Sequence, residues 1–228
     1  MNLREEFVHI PFDLTHLAPK VKDLCLNGCG IKRIDNFWTL GMATYKDGYT
    51  DLDIDRIERS NHFLLSMFPE LYKEQLELFT EVLQRPVKYM SGMPLPGFHV
   101  FKYCKEFEQP LARPHVDVPF NKYNWGREVK SIDDIFTHLV PVELPENAGM
   151  NIWDLTALDM YEQGEDYIVS KARFSKPIDV IKYNLGEATV HSGEIVHQIK
   201  PFDGPTDKWR ITLQSHAVFK DGCWQLYW

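Results

Sequence analysis

Residues 113–119 read Arg113-Pro114-His115-Val116-Asp117-Val118-Pro119. In an extended strand, side chains two apart share a face, so His115 and Asp117 project together while Val116 faces away. A neutral imidazole beside a carboxylate supplies two of the three ligands of a 2-His-1-carboxylate facial triad, a set that holds Fe(II) and leaves the opposite positions open. On its own, His-x-Asp is equally a hydrogen-bonded surface pair. Two candidates for a third ligand lie in the stretch 186–199, at His191 and His197. Beyond them comes Trp209-Arg210-Ile211-Thr212-Leu213, in which Arg210 and Thr212 share a strand face, at a separation from His197 that a hairpin spans. A guanidinium binds a carboxylate through two parallel hydrogen bonds, and a neighbouring hydroxyl adds a third. That equipment suits a dicarboxylic co-substrate whose other end reaches a metal.

These residues need elements to position them. Residues 51–87 carry apolar side chains at helical spacing, interrupted at Pro69 and closed by Pro86, and predict two helices. From Phe98 onward the pattern changes. Residues 98–103, 137–142, 149–153, 178–183, 188–190, 195–199 and 210–219 are short β-prone runs, many of them separated by Pro, Gly and Asn. Helices first and many short strands after predict an α+β fold, with helices packed outside a sandwich or barrel. No repeat, low-complexity tract or linker divides the chain, so one domain over 1–228 is expected.

Bulk composition narrows the field. Hydrophobic residues make up 44% and charged residues 25% of the 228, which is ordinary globular composition with enough chain for a sizeable core. With 33 acidic against 25 basic residues the net charge is −8, which argues against duplex nucleic acid as a partner. Cys25, Cys29, Cys104 and Cys223 form no metal-binding spacing and read as free thiols of a reducing compartment. The first residues lack a basic stretch followed by an apolar run, and no segment approaches the length of a membrane span. A cytoplasmic location without membrane attachment is therefore expected; the oligomeric state is not legible.

The order His-x-Asp, distal His, then Arg-x-Thr resembles the Fe(II)/2-oxoglutarate-dependent dioxygenase superfamily, over roughly residues 98–219. The resemblance implies a double-stranded β-helix, or jelly-roll, barrel over 98–219, with the helical N-terminal region of residues 1–97 packed outside. It implies His115, Asp117 and His197 as metal ligands, His197 being preferred to His191 because it follows the Gly193 turn as the family's distal ligand does. It implies Arg210 and Thr212 as the carboxylate site of 2-oxoglutarate. The run 98–103 before Pro114-His115-Val116-Asp117 is similar to the prolyl-hydroxylase branch, which makes Tyr103 a further co-substrate contact. The implied reaction consumes O₂ and 2-oxoglutarate, releases succinate and CO₂, and hydroxylates an unactivated C–H bond of a small-molecule or amino-acid-like substrate. In the family the Asp117 carboxylate favours hydroxylation, or desaturation or demethylation, over halogenation.

Other positions are open to two readings. His216 shares strand parity with Arg210 and is either a substrate contact or a packed histidine; His99 carries the same ambiguity. Trp153 either lines the interior or packs in the core. The loop 121–127, with Asn124 and Trp125, is either a lid over substrate or a solvated connection. Two other classes compete with the oxygenase: a cupin-type metalloenzyme that uses no 2-oxoglutarate, with Arg210 structural, and a non-catalytic jelly-roll binding module.

Overall fold

The computed structural model describes residues 7–48, 53–110, 112–117, 134–205 and 207–228. In chain order the elements begin with β1 (Val8–Pro11), α1 (Ala18–Leu26), β2 (Ile31–Ile34), β3 (Phe37–Leu40) and α2 (Thr44–Asp47). The paired helices α3 (Ile54–Met67) and α4 (Pro69–Leu83) follow, then β4 (Val87–Tyr89) and β5 (Gly97–Lys102). The second half contains β6 (Ile135–Glu143), β7 (Gly149–Thr156), α5 (Ala157–Gln163), α6 (Glu165–Phe174) and β8 (Asp179–Lys182). It ends with β9 (Glu187–His191), β10 (Ile195–Ile199), β11 (Trp209–Lys220) and β12 (Cys223–Tyr227). Among the described residues, no helix is long and apolar enough to cross a membrane.

The strands form two sheets. The larger runs β1-β9-β6-β11-β5-β3-β2, with β12 and β4 joined to β11; the smaller runs β10-β7-β8. An isolated antiparallel bridge from His115 to His197 adds the segment 112–117 to the smaller sheet. From β5 to β11 the chain visits the larger sheet, the smaller, the larger, the smaller twice, the larger, the smaller and the larger. That alternation matches the connectivity expected of a jelly roll.

The faces are sorted by period-2 burial. Along β11, Trp209, Ile211, Leu213 and Ala217 enter the main apolar core, while Arg210, Thr212, Gln214 and His216 point the other way. The main core also takes Leu64 of α3, Phe68 from the junction between the helices, and Leu71, Tyr72 and Phe79 of α4. Within α4 the buried residues fall on one helical stripe. The Phe68 ring meets Phe98 at 5.2 Å and Phe79 meets Phe136 at 5.6 Å, so both helices cover one face of the larger sheet. The break between them falls at Phe68–Pro69, where proline occupies the first turn of α4 and its missing N–H costs nothing. On the opposite face, Leu139 of β6 packs with Met150 and Ile152 of β7 and with Tyr183. The two sheets therefore confront each other across an interior.

Two departures from the sequence reading matter. The N-terminal region is not only helical: β1 extends the larger sheet at one edge, and β3 with β2 extends it at the other. These strands of four residues are too short for periodicity to declare them. Helices α5 and α6 also interrupt the strand-rich half. Thr156 and Asp159 close a capping box at the start of α5, with the Thr156 N–H donating to Asp159 at 2.7 Å, so Thr-x-x-Asp was the signal that marked it.

Gly97, at the start of β5, shows how tightly the core is closed. A Cβ there would lie 2.2 Å from the Trp228 ring and 2.7 Å from the Leu40 carbonyl oxygen. Trp228 is fully buried, and the Leu40 backbone belongs to β3, so neither yields easily. Gly97→Ala is expected to destabilise the fold by about 1–3 kcal/mol through overpacking, measured as a lower urea midpoint with unchanged slope.

Candidate metal centre and anion pocket

The segment 112–117 is tied to β10 by a reciprocal backbone pair. The His115 N–H donates to the His197 carbonyl at 3.0 Å and the His197 N–H donates to the His115 carbonyl at 2.8 Å. Two residues on, the Asp117 N–H donates to Gly193 at 2.8 Å. Gly193 has φ +77°, and a Cβ on it would lie 2.4 Å from the Asp117 carbonyl oxygen. Only glycine permits both that conformation and that approach.

This pairing brings one ligand atom from each of His115, Asp117 and His197 within 4.8 Å of the others. His115 Nε2 lies 3.6 Å from Asp117 Oδ1, and His197 Nε2 lies 3.3 Å from Asp117 Oδ2. Each imidazole is oriented from behind: His115 Nδ1 meets the Arg113 carbonyl and His197 Nδ1 meets the Ile195 carbonyl, both at 2.8 Å. A carbonyl only accepts, so each Nδ1 carries the proton and each neutral ring turns its Nε2 lone pair toward the carboxylate. Lone pairs facing a carboxylate are stable only with a proton or a cation between them. Burial works to raise the Asp117 pKa, but adjacent His197 outweighs it and holds the carboxyl well below the usual range. Burial lowers the His197 pKa, yet Asp117 brings it above the ordinary histidine value.

His191 faces the same interior but is differently employed. Its Nδ1 accepts the Gly193 N–H at 3.1 Å, which places its proton on Nε2 and leaves no second lone pair. Burial, reinforced by His197, drives its pKa down to about 3. His191 therefore stands 5.2 Å from the His197 ring as a neutral neighbour, outside the converging group. His216 also faces the interior, its Nδ1 2.9 Å from Thr137 Oγ1, with burial lowering its pKa.

Arg210 is fully buried, and none of its three side-chain nitrogens has a hydrogen-bond partner among the described residues. Its guanidinium carbon lies 5.6 Å from the Phe101 ring centroid and 5.7 Å from that of Tyr183, within cation–π reach of both rings. Burial lowers its pKa and Tyr183 works in the other direction. Thr212, one pleat further along β11, is also fully buried.

Tyr103 is not beside Arg210. Strand β5 ends at Lys102, the chain turns, and the Tyr103 hydroxyl donates to Glu108 at the surface. The tyrosine against the guanidinium is Tyr183, two residues beyond Ile181 on the same pleat parity. Burial pushes its hydroxyl up to about 12 against the lowering influence of Arg210. Trp153 packs with Ile168, Ala172 and Val196 beneath α6, on the outer face of β7, rather than lining the interior. Asn124 and Trp125 lie outside the described residues.

A cavity of about 880 Å³ is lined by His115, Asp117 and His197 together with Phe101 and Tyr183, while Arg210 and Thr212 lie behind its lining. This size is typical of small-molecule sites.

No protein-family model matches the chain, and no curated protein matches it. Among solved structures, similarity is found to an N-substituted L-amino acid dioxygenase from Burkholderia ambifaria, at 15% identity over 78% of this chain and 74% of that one, with a TM-score of 0.48. A structure of an N-substituted L-amino acid dioxygenase from the same organism in complex with alpha-KG matches at 14% identity over 97% and 98%, with a TM-score of 0.42. The non-heme alpha ketoglutarate dependent epimerase SnoN from nogalamycin biosynthesis matches at 16% identity over 96% and 82%, with a TM-score of 0.48.

Proposed function

We propose that the chain is an Fe(II)- and 2-oxoglutarate-dependent oxygenase that hydroxylates a C–H bond of a small-molecule or amino-acid-like substrate. The observation that carries this reading is the single cavity onto which a His-Asp-His group and two rings packed against a buried arginine, with no carboxylate partner among the described residues, both open. The donor set fits the metal: two imidazole nitrogens and one carboxylate, on adjacent segments, each histidine oriented by a backbone carbonyl. The arginine fits the co-substrate, since a buried guanidinium without a counter-charge is expensive and a carboxylate offsets that cost. A metalloenzyme needing no organic acid leaves this arginine unexplained.

His115, Asp117 and His197 would hold the iron, and Arg210 with Thr212 would receive the far carboxylate of 2-oxoglutarate. Bound Fe(II), with O₂ and 2-oxoglutarate, supplies the oxidising power for C–H cleavage, the co-substrate leaving as succinate and CO₂. The chain contributes position. Phe101 and Tyr183, both within cation–π reach of the guanidinium, would restrict its motion before any ligand arrives. Burial lowers the pKa of His191 and of His216, which favours their neutral forms in the interior. Apolar lining from Leu139, Met150 and Ile199 keeps water from the reacting region.

Three outcomes test this. Purified protein given Fe(II), O₂ and 2-oxoglutarate should form succinate, and Asp117→Ala should abolish it while far-ultraviolet circular dichroism is unchanged; succinate formation undiminished by that change would remove the triad. Gly193→Ala should displace Asp117 and weaken metal binding by about tenfold to a hundredfold, as loss of an orienting partner does, read by titration calorimetry. Arg210→Lys keeps the charge but loses the two-pronged geometry. It should raise the KM for 2-oxoglutarate by roughly tenfold to more than a hundredfold, equivalent to about 1.5–3 kcal/mol, with metal affinity unaltered. An unchanged KM would show that another residue anchors the co-substrate.

A further inference from the structure

The anion pocket at Arg210 is closed. Arg210 is fully buried, and its three side-chain nitrogens are shut off from solvent. Neither Arg210 nor Thr212 lines the cavity that holds the metal centre. Two residues that do line it, Phe101 and Tyr183, stand with their rings 5.6 Å and 5.7 Å from the guanidinium carbon. A carboxylate entering through the cavity therefore meets side chains before it meets the arginine, and one of them must give way.

The two rings are not equally free. Phe101 sits on β5, which is paired on one side by β11 and on the other by β3. Its ring lies parallel to Phe37 at 4.2 Å and meets Phe107 edge-on at 5.4 Å, inside a cluster that Phe202 completes. Displacing Phe101 opens that whole cluster, and close-packed interiors resist this. Tyr183 follows β8, which pairs with β7 alone at the edge of the smaller sheet. The last pair of that ladder is Lys182 with Gly149, so Tyr183 lies one residue beyond it. The turn after Tyr183 contains Leu185, 51% exposed, and Gly186 at φ +85°. The Tyr183 ring packs with Leu139, Met150 and Ile152, and methionine is the side chain that adapts most readily to a moving neighbour. Its hydroxyl senses both centres: burial pushes its pKa up to about 12, Arg210 works against that rise and Asp117 adds to it.

We propose that Tyr183 is the gate of the anion pocket: its ring shuts Arg210 off from the cavity, and it swings aside to admit the far carboxylate of the co-substrate. The proposal rests on the oxygenase reading, because it takes Arg210 to anchor 2-oxoglutarate. Such a gate makes arrival at Arg210 a two-step event, in which opening limits the rate once the ligand is abundant. It acts only on acids long enough to reach the arginine. A 2-oxo acid without a second carboxylate, such as pyruvate, can chelate the metal and leave the gate closed.

The test mixes full-length Fe(II) protein with 2-oxoglutarate or with pyruvate, without oxygen, in a stopped-flow spectrometer, and follows the visible charge-transfer absorption of the iron chelate. For 2-oxoglutarate the observed rate constant should rise with concentration and then level off; for pyruvate it should keep rising in proportion. Tyr183→Leu, which still fills the apolar site, should raise the limiting rate by about tenfold, equivalent to an opening barrier lower by about 1.4 kcal/mol. Tyr183→Phe, which keeps the ring, should leave the limiting rate close to the wild-type value. A rate proportional to 2-oxoglutarate concentration throughout, a limiting rate shared by pyruvate, or one that Tyr183→Leu leaves unchanged would overturn the gate. The wild-type contrast between the two acids decides this even where the leucine variant does not fold. If the wild-type protein forms no chelate with 2-oxoglutarate, the oxygenase reading falls as well; if the chelate forms without a limiting rate, only the gate falls.

Discussion

The pairing of His115 with His197 through two backbone hydrogen bonds governs the rest of the site. It sets two imidazoles on adjacent strands at one level, and the next register point, Asp117 on Gly193, places the carboxylate between them. The approach depends on a glycine with positive φ, because any Cβ would collide with the Asp117 backbone. Backbone carbonyls behind both rings then decide their tautomers. The result is a centre in which lone pairs converge, an arrangement that asks for a cation before any partner is named.

Arg210 imposes the second constraint. Removing a guanidinium from water without a counter-charge costs several kcal/mol even after relaxation. Phe101 and Tyr183 offset part of this through their π faces, each at about the outer range of a cation–π contact. The remainder is a standing preference for an anion. An anion that binds only the native state and satisfies this arginine would therefore add to the free energy of unfolding.

Elements outside the jelly-roll connectivity do more than cover it. Helices α3 and α4 seal one face of the larger sheet, with Gln75 of α4 meeting His138 of β6 at 2.9 Å inside the main core. Strands β2 and β3 widen the same sheet beyond β5, and with α2 they carry Arg33, Tyr45 and Lys46 to the cavity.

Much of this was legible in the residues. Strand parity alone put His115 with Asp117 and Arg210 with Thr212, because the side-chain period of two holds wherever the chain is extended. The long strands and the two helices with a proline between them could also be read, since their apolar patterns repeat often enough to be distinctive. Tertiary structure decided what periodicity cannot reach. It separated His197 from His191 by the hydrogen bonds each Nδ1 makes, which depend on how the Gly193 turn closes. It set Tyr183 rather than Tyr103 against Arg210, because β5 stops at Lys102 and the pleat no longer carries the later residue inward. It sent Trp153 to the outer face of β7, a choice between two faces that a strand apolar on both sides leaves open. It recruited β1, β2 and β3, whose four residues each hold too few side chains to show a period, into the larger sheet through backbone pairing, β1 with β9 and β3 with β5, far apart in the chain.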